Sequence, residues 1–154
     1  MNDLVREASP LYTRRASFWK RLSDLLGLKE PVYGSIDLAE SLGEGLALAA
    51  LDALVREGYL KPAEVALVAP PRTLTHRRQR RERLRPDESE RLARIGKTVV
   101  LAEQVFGDKD RALEWLRTPK RRLRGKSAFE LLSTAEGGQV VEEELIAIDE
   151  GYVA

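Results

Sequence analysis

Apolar residues recur at spacings of three and four along most of the chain, the period of a helix with one buried face. Phe18, Leu22, Leu25 and Leu26 make one such stripe over residues 13–26, which Gly27 closes. Leu46, Ala50, Leu51, Leu54 and Val55 make a second over residues 46–57, ended by Gly58. A shorter helix follows, with Pro62 at its first position and Val65, Leu67 and Val68 as core candidates, before the Ala69, Pro70, Pro71, Arg72 run breaks the chain. Residues 73 to about 83 form a third helix that turns Leu74 inward. A longer one opens at Pro86, carries Leu92, Ile95, Val99, Ala102 and Phe106 on one side, and stops at Gly107. Asp108 caps the next, which holds Ala112, Trp115 and Leu116 and ends at Thr118 and Pro119. Ser127 and Glu130 form a capping box ahead of Leu131 and Leu132, and Thr134 starts a last helix whose apolar side is Val140, Val141, Leu145 and Ile148. Strand-like alternation is confined to short pieces near residues 32–38, and Pro31 marks residues 29–34 as a turn or linker. The fold class predicted is all-α.

Composition narrows the function classes. With 43% hydrophobic and 33% charged residues the chain reads as soluble and globular, and 154 residues suffice for a sizeable core. No run approaches the roughly 20 apolar residues of a membrane helix, and the first residues lack a signal-peptide layout, so no membrane association and a cytoplasmic location are expected. The absence of cysteine removes disulfides and thiolate chemistry, and His76 is the only histidine. A metal site, a catalytic residue or a cofactor therefore has almost nothing to be built from, and the expectation is a protein that is not an enzyme.

Charge changes the picture more. The net charge of +1 conceals a sorting: residues 72–85 hold seven arginines against one glutamate, while beyond Lys126 every charge is acidic. Such asymmetry suggests one face for nucleic acid and another for protein. Two short helices around a tight break, the second rich in Arg, Thr and His, make a helix-turn-helix arrangement. Residues 61–68 would cross the DNA backbone and residues 73–81 would enter the major groove. Arg72, Thr73, Thr75 and His76 lie near the helix start as candidates for base edges and first phosphates, and Arg77, Arg78 and Arg81 add phosphate candidates. Arg80 belongs to the same run, and these arginines cannot all face one way. A plain solvated basic helix is the competing interpretation of the run; the Pro-Pro break favours DNA.

From about Leu46 onward the order of features resembles the Xre/MbcA/ParS family of bacterial antitoxins, which pair with RES-domain toxins. The matching residues are Arg72, Thr73 and Leu74 with Arg77 and Arg78; Leu84 with Glu88 and Ser89; and Ala102 through Val105, Phe106, Gly107 and Asp108. They continue with Ala112, Trp115, Leu116, Pro119, Leu123, Gly125, Leu131, Leu132, Thr134, Gly137 and the closing Gly151, Tyr152, Val153 and Ala154. Ser127 and Ala128 stand where the family often has Thr-Pro. Residues 1–45 read as an N-terminal helical arm or linker, whose first 40 or so residues match nothing in the family, and the resemblance implies a helix-turn-helix DNA-binding domain (46–107) and a C-terminal toxin-binding domain (108–154). It further implies a homodimer that binds operator DNA to regulate its own synthesis, and a toxin partner that consumes NAD or uses it for ADP-ribosylation. The toxin-facing set would be Trp115, Arg117, Arg121, Arg124, Glu136, Asp149, Glu150, Gly151, Tyr152, Val153 and Ala154.

An NAD pocket presents Arg or Lys donors to two phosphates, which the acids near the end of the chain could occupy, with Tyr152 as an aromatic anchor. Trp115, Leu116, Leu131, Leu132, Val141 and Ile148 also fit the core of a small helical domain, the commoner use of a Trp beside Leu at helical spacing. The alternative function is a stand-alone helix-turn-helix regulator that dimerises through its C-terminal half.

Overall fold

A computed structural model describes residues 10–152 of the chain. Its helices are α1 (Pro10–Leu25), α2 (Ser35–Glu44), α3 (Leu48–Arg56), α4 (Pro71–Arg80), α5 (Pro86–Phe106), α6 (Lys109–Arg117), α7 (Ala128–Leu131) and α8 (Ala135–Asp149). Two 3-10 turns, Pro62–Leu67 and Arg121–Leu123, join α3 to α4 and α6 to α7. No strand occurs among the described residues. The nearest thing to one is a single antiparallel bridge between Lys120 and Lys126, and the all-α expectation holds.

The 21-residue α5 is the axis of the molecule. It packs against α1 and α2 through one part of its surface and against α6 and α8 through another. Leu92, Ile95, Val99 and Ala102, the stripe expected from spacing, are buried and join a continuous core that runs from Leu22 to Leu145. Gly96 lets α1 come close: a β-carbon there would sit 3.1 Å from Leu26 and 3.3 Å from Leu22. The helix ends follow their local chemistry. Asp108 accepts from the Arg111 amide, Ser127 from the Glu130 amide and Thr134 from the Gly137 amide, each satisfying an otherwise orphaned first-turn donor.

One segment differs from expectation. Residues 32–38, the only stretch with strand-like alternation, contribute instead to α2, whose Leu38 is buried against α5 while Ile36 is 77% exposed. The exposed Ile36 next to buried Leu38 imitates period two, whereas the helical partner of Leu38 is the half-buried Leu42 four residues on. Smaller differences concern ends. The expected short helix after Gly58 is a 3-10 turn, and the helix expected to reach residue 83 stops at Arg80 with Arg81 in the left-handed region at φ 54°.

Close approach explains a second glycine. A β-carbon on Gly137 would lie 1.8 Å from the backbone oxygen of Leu131, the last residue of α7. Backbone cannot step aside as a flexible side chain can. Gly137→Ala is expected to cost about 1–3 kcal/mol, the range of core overpacking, read as a lowered urea midpoint with an unchanged slope.

Candidate functional site

The basic helix α4 stands on an internal ion pair. Arg77 is 7% exposed and Glu88 5%, and the two side chains meet in a fork with both nitrogen–oxygen distances 3.0 Å. Glu88 also accepts from the Arg85 amide at 2.8 Å, and Arg77 donates to the Arg83 carbonyl at 3.2 Å, so the loop between α4 and α5 is wound around this pair. Arg77, expected among the DNA contacts, is therefore an interior tie. Its place three residues after buried Leu74 puts it on the inward side of the helix. Next to this pair, the Leu46 amide donates to the buried Ser89 hydroxyl at 2.8 Å and the Leu84 amide to the Leu46 carbonyl at 3.0 Å. The start of α3 and the start of α5 are thereby locked together.

What α4 shows to solvent is a stripe: Arg72, Thr75, His76, Gln79 and Arg80 are all exposed, at spacings of three and four. Thr73 is half-buried, and the Thr75 hydroxyl donates to the Pro71 carbonyl at 3.0 Å. Arg78 is paired with Asp52 of α3 on the edge of the stripe, and Arg81 lies exposed just beyond the helix end. Among the described residues the ion pairs of α4 are confined to Arg77 and Arg78. Sequence reasoning missed Gln79, an uncharged residue inside an arginine run, although helical phase with Arg72, Thr75 and His76 marks it.

The second half of the expected site divides. Trp115 is half-buried, its ring 5.8 Å from that of Phe106 and covered by the Lys120 ammonium 4.2 Å from its centroid. Desolvation by this packing lowers the Lys120 pKa below the ordinary lysine value. Arg117 turns inward: it donates to both oxygens of Glu64 at 2.8 and 3.1 Å and to the Tyr59 carbonyl at 3.2 Å, with its guanidinium over the Phe129 ring. Burial pushes the Glu64 carboxyl up, but the Arg117 fork and the Lys61 amide outweigh it and hold its pKa below the usual value. The stabilisation this pair supplies is therefore present above the ordinary carboxylate range and fades on acidification through it. Arg117, expected to face a toxin, thus holds α6 to the 3-10 turn ahead of α4, while Trp115 packs α6 against Phe106 at the end of α5. Arg121 and Arg124 do face solvent, on a tight loop closed by the Lys120–Lys126 bridge, and the neighbouring Arg122 reaches Glu144 of α8 at 3.4 Å. Glu136 is exposed in the first turn of α8.

The far end of α8 is a defined structure. Gly151 has φ 79°, its amide donates to the Ile148 carbonyl at 3.0 Å, and the Tyr152 amide reaches back to the Ala147 carbonyl at 2.9 Å. This paired closure is the Schellman motif, which needs a residue tolerant of the left-handed region at its pivot. Tyr152 is thus directed outward, 79% exposed. Glu150 and Gly151 are exposed beside it, and Asp149 is engaged by Arg14 of α1 through both oxygens, at 2.9 and 3.0 Å. That fork of hydrogen bonds holds the Asp149 carboxyl below the ordinary range. Val153 and Ala154, also expected in the toxin-facing set, lie outside the described residues.

Among the described residues no cluster of three His, Asp or Glu side chains could hold a metal ion, and no helix is long and apolar enough to cross a membrane. Residues 37–96 match the family described as the antitoxin Xre-like helix-turn-helix domain. Residues 101–151 match the antitoxin Xre/MbcA/ParS C-terminal toxin-binding domain. The chain is 37% identical over 132 residues to antitoxin Xre of Pseudomonas putida, a match covering 86% of this chain and 82% of that protein. It is 32% identical over 128 residues to antitoxin Xre of Yersinia enterocolitica, covering 81% of this chain and 82% of that one. The helix-turn-helix match begins at residue 37, inside α2, and ends at residue 96, and the toxin-binding match begins at residue 101, so both include part of α5.

Proposed function

We propose a mode of action for a chain that belongs to the Xre/MbcA/ParS family of antitoxins, with a helix-turn-helix domain and a C-terminal toxin-binding domain. It neutralises a RES-domain toxin that consumes NAD or uses it for ADP-ribosylation, by placing the tip beyond α8 in or beside the dinucleotide pocket. The observation that carries this reading is the capped and outward-directed Tyr152, exposed beside Glu150 at the end of a helix with no basic residue. A pocket for two phosphates offers arginine or lysine donors, which an acidic tip can satisfy, and an aromatic side chain on a fixed backbone is a good anchor because little entropy is lost on docking. Arg121, Arg124 and Glu136 form the outer part of this contact surface. Neutralisation of the toxin by tip variants tests it: a chain that ends after Ile148 should no longer silence the toxin, and full neutralisation by that chain would overturn the reading.

The same protein binds its operator through the exposed stripe of α4. Arg72, Thr73, Thr75, His76, Arg78 and Arg81 serve in this role together with Gln79 and Arg80. Thr75, His76 and Gln79 are suited to base edges, and the arginines to phosphates. A homodimer, presenting two such helices to successive turns of the major groove, completes the arrangement. Each phosphate contact contributes about 0.9 to the slope of log affinity against log salt. Arg72→Ala with Arg80→Ala is expected to flatten that slope by about 2 while leaving the toxin affinity unchanged. An unaltered slope would remove α4 from the DNA interface.

A further inference from the structure

We infer that α1 belongs to the toxin-binding apparatus, with Arg14 as a positioning residue that grips Asp149 and so fixes where Tyr152 points. This rests on the reading that the tip beyond α8 meets the toxin. Sequence alone gives α1 no role, since it lies at the opposite end of the chain from α8 and ahead of both matched domains, the first of which begins at residue 37. In the folded protein the start of α1 lies beside the end of α8. The Arg14 fork takes both oxygens of Asp149, at 2.9 and 3.0 Å, from 135 residues away.

Arg14 is itself held. Its carbonyl accepts from the Gln104 side chain at 3.2 Å, and one helical stretch later Arg21 donates to Glu103 at 3.3 Å and also to the Tyr59 hydroxyl. Leu22 and Leu26 close the same helix onto Gly96. α1 is thus anchored to α5 along its length, and its first turns brace the end of α8 against that anchor. Asp149 is the last helical residue before the Gly151 turn, so an angular change there is carried directly to Tyr152. With both oxygens occupied, Asp149 is an internal strut, and Glu150 and Tyr152 are left as the groups that face a partner. A guanidinium–carboxylate fork constrains angle as well as distance, which a lysine in the same place would not do.

The test uses the full-length chain and the toxin encoded alongside it. A brace and a direct contact differ in what Arg14→Ala does and in whether exchange of the pair rescues binding. If Asp149 is a strut, Arg14→Ala and Asp149→Ala weaken toxin binding alike, by roughly two- to fivefold for an exposed pair. The double variant is no worse than either, and the exchanged pair Arg14→Asp with Asp149→Arg recovers most of the loss. If Asp149 touches the toxin itself, Asp149→Ala weakens binding, Arg14→Ala leaves it unchanged or tightens it, and exchange does not rescue; that result overturns the proposal. Amide hydrogen exchange at Gly151 and Tyr152 in the free antitoxin gives a reading without toxin. Arg14→Ala should accelerate it severalfold, and unchanged exchange overturns the brace even if the tip proves essential. Conversely, accelerated exchange together with a Tyr152→Ala variant that still neutralises would retain the brace and reject the toxin contact on which its purpose rests.

Discussion

Glu88→Ala is expected to destabilise the fold by about 3–5 kcal/mol, because it leaves the buried Arg77 guanidinium with only the half-exposed Glu82, 3.7 Å away, as an acidic neighbour. The side chains of Arg77 and Glu88 are 8% and 7% exposed, so solvent cannot take over the lost contacts, and the Arg85 amide at the start of α5 loses its acceptor as well. Urea unfolding should show the loss directly. Replacing both members together, Arg77→Met with Glu88→Leu, should recover much of it, since an apolar pair of similar size carries no desolvation cost. The same variants separate folding from recognition. Arg77→Ala should lower DNA binding by reducing the folded fraction, while the salt slope of the molecules that remain folded stays that of the parent. A parent-like melting curve for Glu88→Ala would mean that this pair does not hold α4 to α5.

Ending the chain after Ile148 is expected to abolish toxin neutralisation while leaving fold and DNA affinity in place. Tyr152→Ala alone should weaken toxin binding roughly 30-fold or more, the effect of removing an anchor worth about 2 kcal/mol. Stability should hardly change, because the packing of α8 comes from Val141 and Leu145, both fully buried, and not from the exposed tip. Gly151→Ala offers a subtler version: it keeps every contact group and strains the pivot at φ 79°, so affinity should fall while Tyr152 is still present. Titration of toxin activity against each variant at matched dose measures all three. Full neutralisation by the truncated chain would place the toxin contact elsewhere, with the exposed Arg121 and Arg124 loop first in line.

Much of this molecule could be read from local sequence because its helix ends are locally determined. Gly58, Gly107, Asp108, Ser127 and Thr134 act on neighbours within four residues, and the stripes of α3 and α5 repeat often enough to be unambiguous. α2 was hidden because a ten-residue helix with one deeply buried leucine has too few repeats to outweigh the apparent alternation around Ile36. The arginine run shows the limit on the functional side. Composition reports seven arginines between residues 72 and 85, but which of them turns inward depends on Glu88, a residue that sequence reads only as a favourable first-turn acid. Helical phase with Leu74 was the available signal. Arg117 with Glu64 and Arg14 with Asp149 had none, since pairings across 53 and 135 residues leave no mark in spacing. The orientation of Tyr152 was legible in principle, because a glycine just beyond a helix, followed by a large apolar residue, is the sequence form of its cap.

The position of α5 bears on what a single cut in the backbone could separate. Both matched regions borrow from that one helix, and the break after it is only the exposed Gly107 and Asp108 ahead of α6. A protease that needs an extended, accessible segment finds no linker between the two halves. A nick at Gly107 would leave the pieces clasped through the α5–α6 and α5–α8 packing and the Arg117–Glu64 tie. A single cut at that turn should therefore leave the two pieces travelling as one particle until the shared core itself opens.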